Sequence, residues 1–476
     1  HDFHWTIFVA FFLAFTLGFS NGANDIANTM GTSIGSKVLK YWQAYLLATT
    51  FEVTGAVLVG YDITETLRQG IIDIPDFEGA PKELLLGQLA ILGSTSLFIF
   101  IATLFGLPVA GSHSIIGATV GFSTLMRGTK GIHWWKILEI FISWLVSPIL
   151  SGLTSVILYI VLDFAVLRRK HPLKCGLRTL PIFYFVCFGF ITFAVVFHAS
   201  KALDLKTLPL WVDLLISFSV GIITAIIFLL IVKPKLKQWV LEKEASIRAR
   251  IYYSESQEEV HITPIIKRHK YEEKPKPPIP YYTQPKFEWG IKSIVSWFLP
   301  ARDRNEDHEA EHMFSALEIF SGCLASFAHG AKETANVIAS VTVLLTIYHT
   351  MDVKQNEPVP LYMFFFGSIA LSSGFWILGY KTIRTVGKRM VIIDPCSGFT
   401  IQFGMAITAI LASKAGLPIS TTQCIVGSVV AVGTYKSGQG IEWKIFWSTV
   451  LAWVVTLPIS GVLAAIIMII LKYLFL

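Results

Sequence analysis

Runs of about twenty mainly apolar residues recur along almost the whole chain, and no other feature restricts its fold as strongly. A helix of roughly 20 such residues crosses a hydrocarbon core of about 30 Å. Runs of this kind lie near residues 3–28, 43–60, 84–105, 135–166, 179–198, 208–232, 313–347, 360–380, 397–415 and 443–472. Two further stretches, 107–126 and 417–434, are rich in Gly, Ser and Thr and begin at a Gly-Leu-Pro triplet. They read as broken or re-entrant segments and bring the expected crossings to about twelve. The runs are continuous rather than alternating, which excludes a β-barrel. Of 476 residues, 53% are apolar and only 15% charged, against roughly 25% charge in a soluble protein. The expected fold is therefore an all-α, polytopic membrane protein. The five cysteines are widely spaced and form no C-x-x-C pair, so neither a disulfide framework nor a zinc site is indicated.

Loop charge sets the expected orientation, because Lys and Arg collect on the cytoplasmic side. Residues 167–178 hold Arg168, Arg169, Lys170, Lys174 and Arg178 with no acid, and 381–389 hold Lys381, Arg384, Lys388 and Arg389. Both loops are expected in the cytoplasm. The acidic loop 61–83, with Asp62, Glu65, Asp73, Asp76, Glu78 and Glu83, is expected outside, and both termini fall outside with it. Residues 233–312 mix bases with nearly as many acids around Lys274-Pro-Lys-Pro-Pro-Ile-Pro280 and read as a cytoplasmic linker of limited order. Lys233, Lys235 and Lys237 could touch anionic lipid, though plain positive-inside topology accounts for them. The lipid bilayer, not nucleic acid, is the partner that this net charge of +7 implies. The chain opens at His1 rather than Met, as expected if residues precede it.

Internal similarity appears in three blocks at nearly one offset. Asn21-Gly-Ala-Asn-Asp-Ile-Ala-Asn28 aligns with His329-Gly-Ala-Lys-Glu-Thr-Ala-Asn336, and Gly106-Leu-Pro-Val-Ala-Gly-Ser-His-Ser-Ile-Ile-Gly117 aligns with Gly416-Leu-Pro-Ile-Ser-Thr-Thr-Gln-Cys-Ile-Val-Gly427. Gly131, Trp134, Trp144, Ser151 and Gly152 match Gly440, Trp443, Trp453, Ser460 and Gly461. Seven expected crossings separate equivalent points, an odd number, so the second unit should be inverted. Inverted repeats with interrupted helices meeting at the midplane are the architecture of secondary transporters. The expected division is a first repeat (1–166), two connecting helices (167–232), the linker (233–312) and a second repeat (313–476).

Polar and ionisable residues inside apolar spans are costly and usually functional. Asn21, Asn24, Asp25 and Asn28 share one helical face, interleaved with Gly18, Gly22 and Ala23. Their oxygens form a hard cluster suited to a small cation such as sodium. A Gly-x-x-x-Gly helix contact through Gly18 and Gly22 explains the glycines but not the carboxylate. Glu52 is a second intramembrane acid, and Glu333 and Asn336 stand at the aligned positions of the second repeat. The Gly-Leu-Pro segments supply the opposite sign. Ser112, His113 and Ser114 begin one short helix, and Ser420, Thr421, Thr422 and Gln423 begin the other. Free backbone N–H groups and the positive end of the helix dipole favour anions there, and hydroxyls both donate and accept, which suits a tetrahedral oxyanion. Ordinary N-capping by Ser and Thr explains one such segment, but not two inverted copies. Gly31-Thr-Ser-Ile-Gly35-Ser-Lys37 is too short for a P-loop and follows no strand, so it is read as the end of the first span.

With these residues in view, the chain resembles the PiT family of inorganic phosphate transporters, the sodium-coupled type that in animals also serves as retrovirus receptors. The resemblance rests on Gly22-Ala-Asn-Asp-Ile-Ala-Asn28 with Gly31-Thr32 and Gly35-Ser36, on Gly111-Ser-His-Ser-Ile-Ile-Gly-Ala-Thr-Val-Gly-Phe122, and on Leu417-Pro-Ile-Ser-Thr-Thr-Gln-Cys424. It implies cotransport of phosphate and sodium by alternating access, with the signature Asn and Asp residues on the cation and the hairpin hydroxyls on phosphate. No cofactor is implied beyond sodium as a cotransported ligand. The implied membrane is the plasma membrane, and a homo-oligomer is left open. The second repeat departs from the family pattern, because Ala331-Lys332-Glu333 stands where the family has Gly-Asn-Asp or Ala-Asn-Asp, and Gln402 where it commonly has Glu. Lys332 is thus a candidate charge substitute for a bound cation. Readings left beside symport are a phosphate receptor without turnover and a proton-coupled or sodium-independent transporter. A membrane enzyme has no nucleophile and base pair or metal motif to support it.

Overall fold

The computed structural model describes residues 3–69, 77–202, 208–260, 289–290, 293, 297–300, 308–353, 358–386, 393–414, 419–436 and 441–476. Among the described residues every extended element is a helix. In order, the helices are α1 (His4–Gly35), α2 (Tyr41–Gln69), α3 (Pro81–Leu104), α4 (Gly111–Arg127), α5 (Trp134–Leu162), α6 (Pro172–Ala202), α7 (Leu210–Ile227), α8 (Lys233–Val260), α9 (His308–Thr350), α10 (Leu361–Leu378), α11 (Tyr380–Val386), α12 (Pro395–Lys414), α13 (Thr421–Lys436) and α14 (Trp443–Phe475). Single π turns at Asp163–Leu167 and Phe228–Val232 extend α5 and α7. Among the described residues, nine helices are long and apolar enough to cross a membrane. The short α4 and α13, of 17 and 16 residues, are not among them, nor is α9, whose interior carries Glu318, Lys332 and Glu333.

Several helices run further than their apolar spans. The linker 233–312 is not of limited order throughout, because Lys233–Val260 continues as helix straight from the π turn after α7. A helix already nucleated in the membrane extends readily through the Lys, Glu, Ala, Gln and Arg that follow. For the same reason α2 runs through Tyr61 to Gln69, α6 begins at Pro172 inside the expected basic loop, and α11 occupies much of 381–389. Gly416-Leu-Pro418, Asp73, Asp76, Lys388, Arg389, Gly440 and the run from Lys274 to Pro280 lie outside the described residues.

Glycine decides which helices cross most closely. A Cβ at Gly22 would lie 1.9 Å from the Leu371 carbonyl oxygen, and one at Gly374 would lie 1.8 Å from that of Phe19, so α1 and α10 touch backbone to backbone. Helices α9 and α2 do the same, since Gly330 would meet the Glu52 carbonyl at 2.2 Å and Gly55 that of Phe327 at 1.9 Å. A second kind of crossing joins α4 to α14, where Gly117 and Gly121 face the Leu457 and Gly461 carbonyls at 2.4 and 2.1 Å. Its counterpart joins α13 to α5, where Gly427 faces the Pro148 carbonyl at 2.2 Å. In every case one helix comes from residues 1–166 and the other from beyond residue 312.

Apolar packing surrounds these crossings in two main clusters. One, including Tyr159, Phe314, Phe399 and Phe403, spans α5, α6, α9, α12 and α13. The other, including Leu17, Phe122, Val341 and Met468, spans α1, α3, α4, α9, α10 and α14. At the helix ends, polar groups close the structure. The Arg168 Nε donates to Asp163 at 2.7 Å, and its guanidinium also reaches the carbonyls of Trp297 and Phe298 and the Tyr435 hydroxyl. Asp394 caps α12 through the Cys396 and Ser397 amides at 2.9 and 3.0 Å and pairs with Lys436 at the end of α13. Burial pushes the Asp394 carboxyl up, but Lys436 and Ser397 outweigh it and hold the group at about 2.

Candidate functional site

The first-span register places Asn21, Asn24, Asp25 and Asn28 on the buried face of α1, each no more than 1% exposed. Asp25 is the centre of the cluster. Its Oδ1 accepts from Asn28 Nδ2 at 2.9 Å and from the Thr422 hydroxyl at 3.2 Å, and Asn28 Nδ2 also donates to Thr422 Oγ1 at 3.0 Å. A residue read from sequence as a phosphate ligand thus lies on the carboxylate read as a cation ligand. That contact joins the first helix to the second hairpin helix. On the other side of Asp25 stands His329, its Nε2 3.8 Å from Oδ2 and its Nδ1 3.1 Å from Glu52 Oε1. Glu52 therefore enters the cluster through the imidazole. The ligand-capable atoms of Asp25, His329 and Glu333 all lie within 4.8 Å of one another.

The second-repeat residues form a parallel set. Asn336 Nδ2 donates to Glu333 Oε2 at 2.7 Å, matching the Asn28–Asp25 bond one repeat earlier. Asn21 Nδ2 reaches the same oxygen at 3.4 Å, and Lys332 Nζ lies 3.5 Å from Oε1. Lys332 does not snorkel away, since its side chain is only 13% exposed.

Other expected site residues are placed differently. The Asn24 amide is taken up by structure, donating to Thr103 Oγ1 at 3.0 Å and the Leu107 carbonyl at 2.9 Å while its oxygen accepts from the Val109 amide at 3.0 Å. It fixes the bend between α3 and α4, where Gly106 turns with φ of +67°; both amide hydrogens are engaged there, and the oxygen keeps one acceptor position. Ser114 bonds Ser460 of α14 at 2.7 Å, a contact between helices and not an open hydroxyl. His113 stacks on Trp144 with centroids 3.6 Å apart. Ser420 accepts from the Gln423 amide at 3.3 Å, as an N-cap does. Ser112 alone in its hairpin start is half-buried, whereas Thr421, Thr422 and Gln423 are buried.

Two ionisable residues escaped the reading of the sequence. His329 stands at the aligned position of Asn21, at the head of a block already recognised as repeated, and its alignment was the available signal. Glu318 is fully buried inside the expected span 313–347 and accepts from the Ser36 hydroxyl at 2.8 Å; the rule that intramembrane acids are functional would have flagged it. Gln402 donates to the Thr29 carbonyl at 2.6 Å and accepts from Ser321 at 3.0 Å, tying α12 to α1 and α9. An ionised carboxylate there could not make the first of these bonds.

Long apolar helices around a buried cluster of carboxylates, amides and hydroxyls define a multi-pass integral membrane protein with a polar interior. Residues 21–464 match the model of the PHO4 phosphate transporter family, and the chain belongs to that family. Similar proteins include the sodium-dependent phosphate transporter 1-A of Danio rerio, 29% identical over 92% of this chain and 90% of its own length. Sodium-dependent phosphate transporter 2 of Homo sapiens is 27% identical over 92% and 93%. A solved structure described as the sodium-dependent phosphate transporter has a TM-score of 0.77 at 28% identity, covering 99% of this chain and 100% of that one. The expected PiT-type resemblance is borne out, and the family is one of transporters and not of enzymes.

Proposed function

We propose that this chain moves inorganic phosphate across a membrane together with sodium, by alternating access. The observation that carries the reading is the contact of Thr422 with Asp25 and Asn28. Helix α13 starts at Thr421, so its N-terminal end, suited to an anion, shares a hydroxyl with the oxygen cluster suited to a hard cation. Phosphate entering a low-dielectric site needs counter-charge, and sodium on Asp25 provides it next to where the anion binds. Membership of the transporter family and relatives named as sodium-dependent point the same way.

Within this reading the chain crosses the membrane twelve times, the nine long apolar helices being joined by α4, α9 and α13. Residues 1–166 and 313–476 are inverted repeats, linked by two connecting helices (167–232) and the stretch 233–312. Matched glycine crossings, α1 on α10 beside α9 on α2 and α4 on α14 beside α13 on α5, support a pseudo-two-fold relation. Asp25, Asn28 and Asn21 hold sodium, with Glu52 acting through His329. Ser112, Thr421, Thr422 and Gln423 face phosphate. The basic loops support an orientation with both termini outside, and the membrane in this reading is the plasma membrane.

The test is accumulation of radiolabelled phosphate in proteoliposomes of the purified full chain, with and without an inward sodium gradient. Sodium-driven accumulation supports the reading. Binding without accumulation identifies a receptor, and equal uptake on a proton gradient or on no gradient identifies the other couplings.

A further inference from the structure

The two half-sites share a register but not a chemistry. Asn21, Asn24, Asp25 and Asn28 of α1 align with His329, Lys332, Glu333 and Asn336 of α9. On the α1 side, buried oxygens remain open. Asn21 Oδ1 and Asn28 Oδ1 have no hydrogen-bond partner among the described residues, and Asp25 Oδ2 has only His329 Nε2 at 3.8 Å. Burying such acceptors unpaired is costly, about 1–3 kcal/mol each; Asn28 lies directly on the Asp25 carboxylate and Asn21 one turn before it on the same buried face, and oxygens of this kind are what a hard cation needs.

On the α9 side both carboxylate oxygens are engaged. Glu333 Oε2 accepts from Asn336 at 2.7 Å and from Asn21 at 3.4 Å, and Oε1 faces the Lys332 ammonium at 3.5 Å. Lysine has three donors and no acceptor, so where Asn24 contributes an amide oxygen in the first repeat, the second repeat contributes only positive charge. An ammonium so placed balances the Glu333 charge and competes directly with any ion arriving there. The Coulomb cost of a second monovalent cation beside a fixed one in a low-dielectric interior is large.

We propose that this chain binds a single sodium, at Asp25 with Asn21 and Asn28, and that Lys332 permanently occupies the equivalent place beside Glu333. Coupling is reduced accordingly to one sodium for each phosphate. The statement about coupling rests on the transport reading above; the statement about the number of sites does not.

Equilibrium dialysis of the purified full chain with radiolabelled sodium counts the sites directly, without turnover. The native protein should bind one sodium per chain, Lys332→Asn two, and Lys332→Arg one, because arginine restores the fixed charge. Paired sodium and phosphate fluxes in proteoliposomes should show the same step, from one sodium per phosphate to two in Lys332→Asn. Two sodium ions bound by the native chain would overturn the proposal, as would an unchanged count in Lys332→Asn. If the asparagine variant does not fold, the native count decides alone. Absence of sodium-driven phosphate flux in the native protein would refute the transport reading, while the binding count would still judge the site proposal.

Discussion

Helices α1 and α9 carry the same polar register into the same buried cluster, yet one half-site is left open and the other closed on itself. Asp25 shares its Oδ1 with Asn28 and Thr422 and has neighbouring amide oxygens to spare. Glu333 is closed by Asn336, Asn21 and Lys332. The difference teaches that repetition conserved the scaffold and not the charge. Glycine contacts at equivalent crossings are preserved because a Cβ has no room there, whereas polar groups facing a cavity are free to change as long as total charge is balanced.

The largest effect should come from the open half-site. Asp25→Asn keeps shape and removes the charge, so sodium-driven phosphate uptake should fall by about a hundredfold or more, the scale of losing charge-assisted contacts. Thermal unfolding should change little, since an asparagine oxygen can still accept from Asn28 and Thr422. Normal uptake by this variant, measured in proteoliposomes, would break the comparison at its root. Glu333→Gln should show the reverse pattern, because it strands Lys332 without a counter-charge. Removing one partner of a buried pair costs about 3–5 kcal/mol; the 13% exposure of Lys332 should bring this to about 2–3 kcal/mol, read as a lower melting temperature. Adding Lys332→Gln should recover most of it. If the single substitution leaves the melting temperature unchanged, the pair does not hold α9 closed.

The scaffold can be tested in the same paired fashion. Gly22→Ala and Gly330→Ala each push a methyl group toward a backbone carbonyl, at 1.9 and 2.2 Å, and overpacking of this kind costs about 1–3 kcal/mol. The two variants should be destabilised alike in thermal unfolding. Tolerance of one and not the other would mean that the two crossings are not equivalent.

How much of this was legible beforehand follows from what each feature depends on. Apolar runs locate the helices because hydrophobic length is a local property, and the repeated Asn-Asp block marks a buried polar face because its spacing is local too. Helix ends were less legible: α8 and α11 continue through charged residues that membrane hydropathy excludes but helix propensity favours. Asn24 and Ser114 show a second limit. Their residue types fit an ion or anion site, but the Leu107 carbonyl, the Val109 amide and the Ser460 hydroxyl reach them first, and those partners are 83, 85 and 346 residues away in the chain. His329 was overlooked because a lone histidine in an apolar helix carries no local signal. Its alignment with Asn21 was the non-local signal, and its meeting with Asp25 and Glu52 from two other helices shows what that signal meant.

The smallest expected effects distinguish the hairpins, where the comparison is sharpest. Ser112 and Thr422 align between the repeats, but only Thr422 touches the cation cluster, at 3.2 Å from Asp25 and 3.0 Å from Asn28. Ser112 is half-buried. If each hydroxyl contributes one ordinary hydrogen bond of about 1 kcal/mol, its removal should raise an apparent Km by about fivefold. Ser112→Ala should then act on phosphate alone. Thr422→Val should raise the Km for phosphate and for sodium together, because the lost hydroxyl served both the helix start and the carboxylate. The check is a two-dimensional uptake series, varying sodium at fixed phosphate and phosphate at fixed sodium. A sodium Km unchanged by Thr422→Val would separate the hairpin from the cation site. A sodium Km raised equally by Ser112→Ala would mean that the α9 half-site is as open as that of α1.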